Sequence, residues 1–357
     1  MRHASRRLLP VVGGLLLLGW GASFLMRPAP ADGGPAVGSL APFDSTLAAG
    51  WQPVVTLAGE ALDGGRILAL DARHDTVVLA HPHAITVVVD GRVARRFGSD
   101  ITGAPEFIAR GADVAITSAG IALLDSPIHR LDTWSFEGER TARLSLPTAG
   151  AGVTYGNLVP SDDGALVSVY RQGETDGGWW VLRVTATGID TLLARYALGA
   201  RGGAYRIPLV TPTASGYASL DALTSWLVLL SATGARGDST QRPAPVRYRV
   251  SEKSRRRVRD LAATMPADLQ RALDLGEFAP AARAVTAAAD GRLLVLSGDL
   301  DDAMHVEVLA PDGRDIGRLW RDADDSQFFL VRGSVYRVRE VEESLVIERQ
   351  SLSPPAR

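Results

Sequence analysis

Cysteine is absent from the 357 residues. Composition alone therefore excludes a disulfide scaffold, a thiolate nucleophile, a Cys-ligated zinc and a diacylglyceryl lipoprotein anchor. Histidine is scarce, six in all with His3 near the start, so imidazole acid-base options are few. There is no Gly-x-Ser-x-Gly elbow, no His-Glu-x-x-His and no phosphate loop ending in Gly-Lys-Ser/Thr, which leaves serine-hydrolase, zincin and P-loop chemistry without local support. A basic surplus is missing as well. The chain carries 38 Lys and Arg against 40 Asp and Glu, and four of the arginines (Arg2, Arg6, Arg7 and Arg27) precede residue 32, which leaves the remainder at net -6. That balance argues against a nucleic-acid partner, whose phosphates need a basic surface. What is present is 46% hydrophobic residues, enough for a large folded core.

Behind Arg2, Arg6 and Arg7, residues 8–26 run without a charge, followed by Arg27 and Pro28-Ala29-Pro30-Ala31. This pattern predicts an export signal. It is longer than an ordinary signal-peptide core and just long enough to span a bilayer, while Pro10 and several glycines weaken it as a permanent helix. Two outcomes stay open: cleavage after Ala31, or retention as a membrane anchor with the body outside the cytoplasm. Ser5-Arg6-Arg7-Leu8-Leu9 also has a faint twin-arginine character. Residues 32–50 are rich in Ala, Gly, Pro and Ser and read as a flexible tether, with the folded domain expected from Trp51 to residue 351 and a short tail at 352–357.

From Trp51 onward the apolar runs are short, rich in Val, Leu and Ile, and separated by Gly turns about every ten residues, the pattern of an all-β domain. The turns recur in register. One set is Asp90-Gly91, Glu137-Gly138, Thr187-Gly188, Thr233-Gly234 and Asp312-Gly313, with glycines 47, 50, 46 and 79 apart. The other is Ala119-Gly120, Asp163-Gly164, Ser215-Gly216, Asp290-Gly291 and Arg332-Gly333, with glycines 44, 52, 75 and 42 apart. Both sets stretch at the same place. A unit of about 45 residues with four strands and two Gly turns is the unit of a β-propeller. Six units are expected, the first beginning with a strand over Ile67 to Asp71. The last offers only three strands, so the orphan run Pro53 to Leu57 is expected to close its blade and remove two sheet edges. The stretched interval, 251–282, is expected to hold a helical insertion between blades four and five: Val258, Leu261, Met265 and Leu269 form an apolar stripe, and Lys253 with Arg255, Arg256, Arg257 and Arg259 forms a basic face.

Arg95-Arg96-Phe97-Gly98 followed by Gly103-Ala104-Pro105-Glu106-Phe107 resembles the Phe-Gly then Gly-Pro-Gly-Glu-Phe linker of bacterial exported six-bladed propellers related to NHL-repeat proteins. The resemblance spans roughly 51–351 and departs from the pattern at Ala104 and in lacking a Gly between Pro105 and Glu106. It implies a fold and no assigned activity.

In a propeller the loops joining strands two to three and blade to blade share one rim around the channel mouth. On this rim the sequence places His81, His83, Asp125, His129, Glu174, Asp176, Asp221, Asp299, Asp301, Asp302, Glu340, Glu342 and Glu343, with Glu106, Arg110, Arg201, Asp322, Asp324 and Asp325 between blades. As a ligand-binding set we single out His81, His83, Asp125, His129, Asp221, Asp299, Arg110 and Arg201. No catalytic residue or metal ligand is assigned, because none of these side chains has a metal motif's spacing. Trp134, Trp179, Trp180 and Trp226 fall in strands, where packing between blades is their expected role. The sequence thus reads as a β-propeller of the cell envelope, periplasmic or anchored in the inner membrane through residues 8–26, that binds a protein or small molecule and needs no cofactor. The competing reading is a Ca²⁺-dependent lactonase-like or lyase-like enzyme, in which the acidic rim takes the ion and His81, His83 or His129 serve as acid or base.

Overall fold

The computed structural model describes residues 49–58, 67–81, 84–97, 112–125, 129–147, 153–171, 178–196, 208–220, 226–233, 236–241, 252, 255–256, 282–298, 304–319 and 326–353. Short Val-, Leu- and Ile-rich runs that end at Gly turns fold as 24 strands in six four-stranded antiparallel sheets. Blade one is β2–β5 (Ala69–Arg73, Thr76–Ala80, Ile85–Val89, Arg92–Phe97) and blade two is β6–β9 (Ala112–Thr117, Gly120–Asp125, Arg130–Trp134, Arg140–Ser145). Blade three is β10–β13 (Val153–Ser161, Gly164–Arg171, Gly178–Thr185, Gly188–Tyr196) and blade four is β14–β17 (Leu209–Thr213, Gly216–Leu220, Trp226–Ser231, Arg236–Gln241). Blade five is β18–β21 (Ala284–Ala287, Leu293–Gly298, Met304–Leu309, Asp315–Leu319). Blade six takes β22–β24 (Gln327–Val331, Ser334–Val341, Ser344–Ser351) and is completed by β1 (Gln52–Ala58). We call the strands of each blade A to D from the inside outward.

The expected closure by the N-terminal strand is present. β1 runs antiparallel to β24, with Gln52 opposite Arg349 and Ala58 opposite Ser344. The seam continues past the strand: the Ala49 N–H donates to the Ser351 carbonyl at 3.0 Å, Trp51 lies 6.4 Å from Phe328, and the Arg337 guanidinium sits 4.3 Å over the Trp51 ring. The first inner strand begins at Ala69 and not at Ile67, so Asp71 falls in mid-strand, opposite Val78. Of the insertion between blades four and five, Glu252, Arg255 and Arg256 are described, and all three are helical.

Side chains alternate across each sheet, and both faces of a blade meet a neighbour. Among the described residues the core accordingly divides into six clusters, each shared by two adjacent blades. Val77, Leu79 and Tyr336 join blades six and one; Val78, Ile85 and Leu123 join one and two; Leu124, Tyr155 and Val167 join two and three. Leu166, Trp179 and Val210 join three and four, Leu220, Leu227 and Val295 join four and five, and Val306, Leu319 and Val335 join five and six. Each such fully buried aliphatic side chain contributes about 1.5–3 kcal/mol. The outer strands are the exposed ones, as β5 and β9 show along most of their length. In all six blades the C–D ladder slips register once, between Val87 and Val88, Thr133 and Trp134, Val181 and Leu182, Val228 and Leu230, Val308 and Leu309, and on the closing strand between Pro53 and Val55. Such bulges bend the outermost strand, which protects a free edge from pairing with another chain.

Candidate functional site

Two groups of polar side chains stand out from this apolar frame. The first lies on the inner strands. Strands β2, β6, β10, β14, β18 and β22 each have one edge without a strand partner, and the amides on that edge need acceptors. Side chains of the neighbouring blade supply them, and in one case a donor for a carbonyl. The Ile116 N–H donates to Asp71 Oδ2 (2.5 Å) and the Leu158 N–H to Asp113 Oδ2 (2.7 Å). Asn157 Nδ2 donates to the Val210 carbonyl (3.2 Å), the Ala287 N–H to Thr211 Oγ1 (3.2 Å) and the Gly333 N–H to Thr286 Oγ1 (3.0 Å). Arg332, in the A–B turn of blade six, closes the circle: Nη2 donates to the Ile116 carbonyl (2.7 Å) and to Asp71 Oδ2 (3.2 Å). Every blade is thereby clasped to the next.

The two carboxylates of this ring differ. Asp71 is buried and accepts from Ala72 N–H, Ile116 N–H and both Nε and Nη2 of Arg332. Burial raises its pKa, against the Arg332 charge and these hydrogen bonds. Asp113 accepts from Val114 N–H (3.0 Å) and Leu158 N–H and is half-buried by surface. Its carboxylate lies deep among protein atoms, and desolvation, helped by the negative charge of Asp71, pushes its pKa up to about 6.

The second group lies towards the rim where strands B end and strands C begin. His81 follows β3, is buried, and its Nε2 is 3.2 Å from the Thr86 hydroxyl at the start of β4. Asp125 ends β7, is buried, and is 3.4 Å from Arg130 Nη2. His129 turns the chain into β8 with φ 53° and lies 5.1 Å from the ring of Tyr155. Burial lowers its pKa, and a hydrogen bond to the Val153 backbone opposes this. Tyr155 donates to the Pro147 carbonyl, and burial pushes its pKa up to about 12. The structure therefore brings Asp125 and His129 to one loop, with His129 reaching into blade three, while His81 sits in blade one. Glu340, Glu342 and Glu343 are exposed around the β23–β24 turn. His83, Arg110, Arg201, Asp221 and Asp299 lie outside the described residues, as do Glu106, Glu174, Asp176, Asp301, Asp302, Asp322, Asp324 and Asp325. Of the tryptophans, Trp134 packs between blades, 5.4 Å from Phe97, and Trp179 is buried in the blade three and four core.

Behind the rim lie buried ion pairs that sequence reading missed. In blade two Asp132, 1% exposed, holds Arg143 Nε at 3.0 Å and Arg130 Nε at 3.2 Å. Counting back from the residue before each C–D turn, Trp134 or Leu309, blade five repeats the arrangement: Glu307 and Arg318 stand opposite each other as Asp132 and Arg143 do, and His305 takes the place of Arg130. His305 Nε2 is 2.9 Å from Glu307 Oε1, both buried. In blade six Glu348 of strand C holds Arg337 (2.7 Å) and Arg339 (2.9 Å) of strand B. Alternation along the strands puts the blade-two group on the face towards blade one, the blade-five group towards blade four and the blade-six group towards blade five. A charged residue at an inward position of a strand, as in Met304-His305-Val306-Glu307-Val308, was the available signal.

Among the described residues, no three His, Asp or Glu side chains gather closely enough to hold a metal ion, and no helix is long and apolar enough to cross a membrane. No family model matches the chain, and no curated protein does. Solved structures match it as folds. A gluconolactonase of Xanthomonas campestris is 11% identical over 92% of this chain and 100% of its own, with a TM-score of 0.44. A calcium-binding regucalcin of Agrobacterium tumefaciens is 11% identical over 80% and 92%, with a TM-score of 0.43, and the Pan2 WD40 domain of Neurospora crassa is 9% identical over 88% and 98%, with a TM-score of 0.44. At these identities the likeness is one of fold alone.

Proposed function

We propose that this chain is a binding module of the cell envelope, an exported propeller that presents the B–C and blade-to-blade loops to a protein or small-molecule ligand. The observation that carries this reading is how the inner-ring acids are used. Asp71 accepts four donors, about as many as a carboxylate has lone-pair positions, and Asp113 accepts an amide from each of two blades. Taking them as calcium ligands means giving up bonds that hold one blade to the next. The rim acid Asp125 is likewise tied to Arg130. Binding is therefore assigned to the loops that this ring carries, the usual division of labour between scaffold and site.

The envelope location rests on the charge-free run at 8–26 behind Arg2, Arg6 and Arg7. The chain joins the fold at Ala49, and β1 then runs from the side of the C–D turns towards the rim. A retained anchor therefore reaches the propeller from its C–D turn side.

The test is metal analysis of the purified full-length chain with thermal melting before chelation, after it, and on adding back calcium. A binding module of this kind contains no stoichiometric ion and melts at the same temperature in all three states. An ion whose loss lowers the melting point overturns the reading in favour of the calcium-dependent lactonase-like or lyase-like enzyme.

A further inference from the structure

Among the cross-blade clasps of the inner ring, two use a carboxylate as acceptor, and Arg332 neutralises one of them. Asp71 has the guanidinium on both oxygens. Asp113 has two amides and, as the charge acting on it among the described residues, the like charge of Asp71. Of the elements packed against β6, β3 contains no ionisable side chain, β10 contains Tyr155 of the hydrophobic cluster, and β2 adds Arg73, which is exposed beyond Asp71. β7 adds Asp125, which is paired with Arg130, and β11 adds Tyr170 and Arg171 at its far end, opposite Thr154 and Val153. A hydroxyl would accept the Leu158 amide without a charge, as Thr211 and Thr286 do for Ala287 and Gly333. An acid at this position makes the clasp between blades two and three depend on a proton.

We propose that Asp113 is a proton-linked clasp, which mild acidification tightens. Charged, it holds Leu158 at the cost of desolvation and of repulsion from Asp71. Protonated on Oδ1, it keeps a carbonyl Oδ2 for the Leu158 N–H and loses both costs, while the Val114 N–H bond to Oδ1 weakens, a smaller loss because desolvation is the largest influence on the group. The sign follows from linkage. The folded chain takes up this proton near pH 6, the unfolded chain only near the ordinary 3.8, so stability is gained as pH falls through about 6 and the gain is complete below about 4. The neutral isostere Asp113→Asn should lack this gain.

The test compares the full-length chain with Asp113→Asn by thermal melting at pH 7.5 and pH 5.0. The difference between their melting temperatures is the readout, since all other titrating groups are common to both. Acidification should move that difference by roughly 3 °C in favour of the wild type. An unchanged difference overturns the proposal. If the variant does not fold, the wild type serves: with leucine amides labelled, the Leu158 N–H resonance should titrate with a midpoint near pH 6, and a resonance flat from pH 5.0 to 7.5 overturns it equally.

Discussion

The inner ring and the ion pairs behind the rim are both buried polar systems in the same blades, and they serve different ends. Around the axis side chains serve the backbone of the next blade: Asp71 serves Ile116, Asp113 serves Leu158, Thr286 serves Gly333, and Arg332 also meets a side chain there, that of Asp71. Behind the rim the bonds run between side chains of one blade, Asp132 with Arg143 and Glu348 with Arg337. A backbone amide at a free edge cannot be mutated away, so its acceptor must stay. An ion pair can be replaced as a whole by apolar side chains of similar size, often without loss. The ring therefore holds neighbouring blades together, whereas the rim pairs only fill and order a space between sheets.

Breaking the ring at its most connected member should have the largest effect. Asp71→Ala strands the buried Ile116 N–H and Ala72 N–H, while Arg332 is exposed enough to turn to solvent; the two orphaned amides should cost about 3–5 kcal/mol in urea unfolding. Gly333→Ala comes next. At φ 76° its new Cβ would lie 2.4 Å from the Ala288 Cα, a backbone collision between blades six and five on top of left-handed strain, for about 2–4 kcal/mol. Asp132→Ala should cost about 2–3 kcal/mol, because Arg143 is exposed enough to turn to solvent and Arg130 keeps Asp125. The comparison sharpens in the double variant. Asp132→Leu with Arg143→Met should recover most of that loss, while no apolar replacement at Asp71 should recover any of its own.

The repeat made the fold legible. Gly91, Gly138 and Gly313 all sit in C–D turns at positive φ, a demand that sequence displays directly, and a last unit short of one strand next to an orphan strand left only ring closure. The inner ring was hidden by the same reasoning that found the strands. A polar residue after an apolar run reads as the end of a strand, so the first inner strand was expected to stop at Asp71, where it in fact continues to Arg73 because blade two satisfies the carboxylate. The partners are distant in sequence yet in step with the repeat: Asp71 and Ile116 are 45 residues apart, and so are Asp113 and Leu158. Period, read for side chains as well as turns, was the missing signal. The rim was legible only as a set of loops. His81, Asp125 and His129 are where the strand order puts them, but whether a loop side chain meets another blade depends on loop conformation, which alternation does not encode.

The smallest break in the ring tests whether its neutral clasps act like its charged ones. Thr211→Val is isosteric and removes one acceptor, Oγ1, from the Ala287 N–H between blades four and five, in a position that is already buried. The amide loses a neutral hydrogen bond and no charge is stranded, so the cost should be about 1–2 kcal/mol, below every single substitution above. The loss should also be local. Hydrogen exchange at Ala287 should speed up well beyond that at Gly333, whose acceptor Thr286 is untouched, while Thr286→Val should reverse the pattern. Exchange that rises equally at both amides in either variant would mean that the ring opens as one unit, and the six clasps would then have to be counted as a single cooperative element.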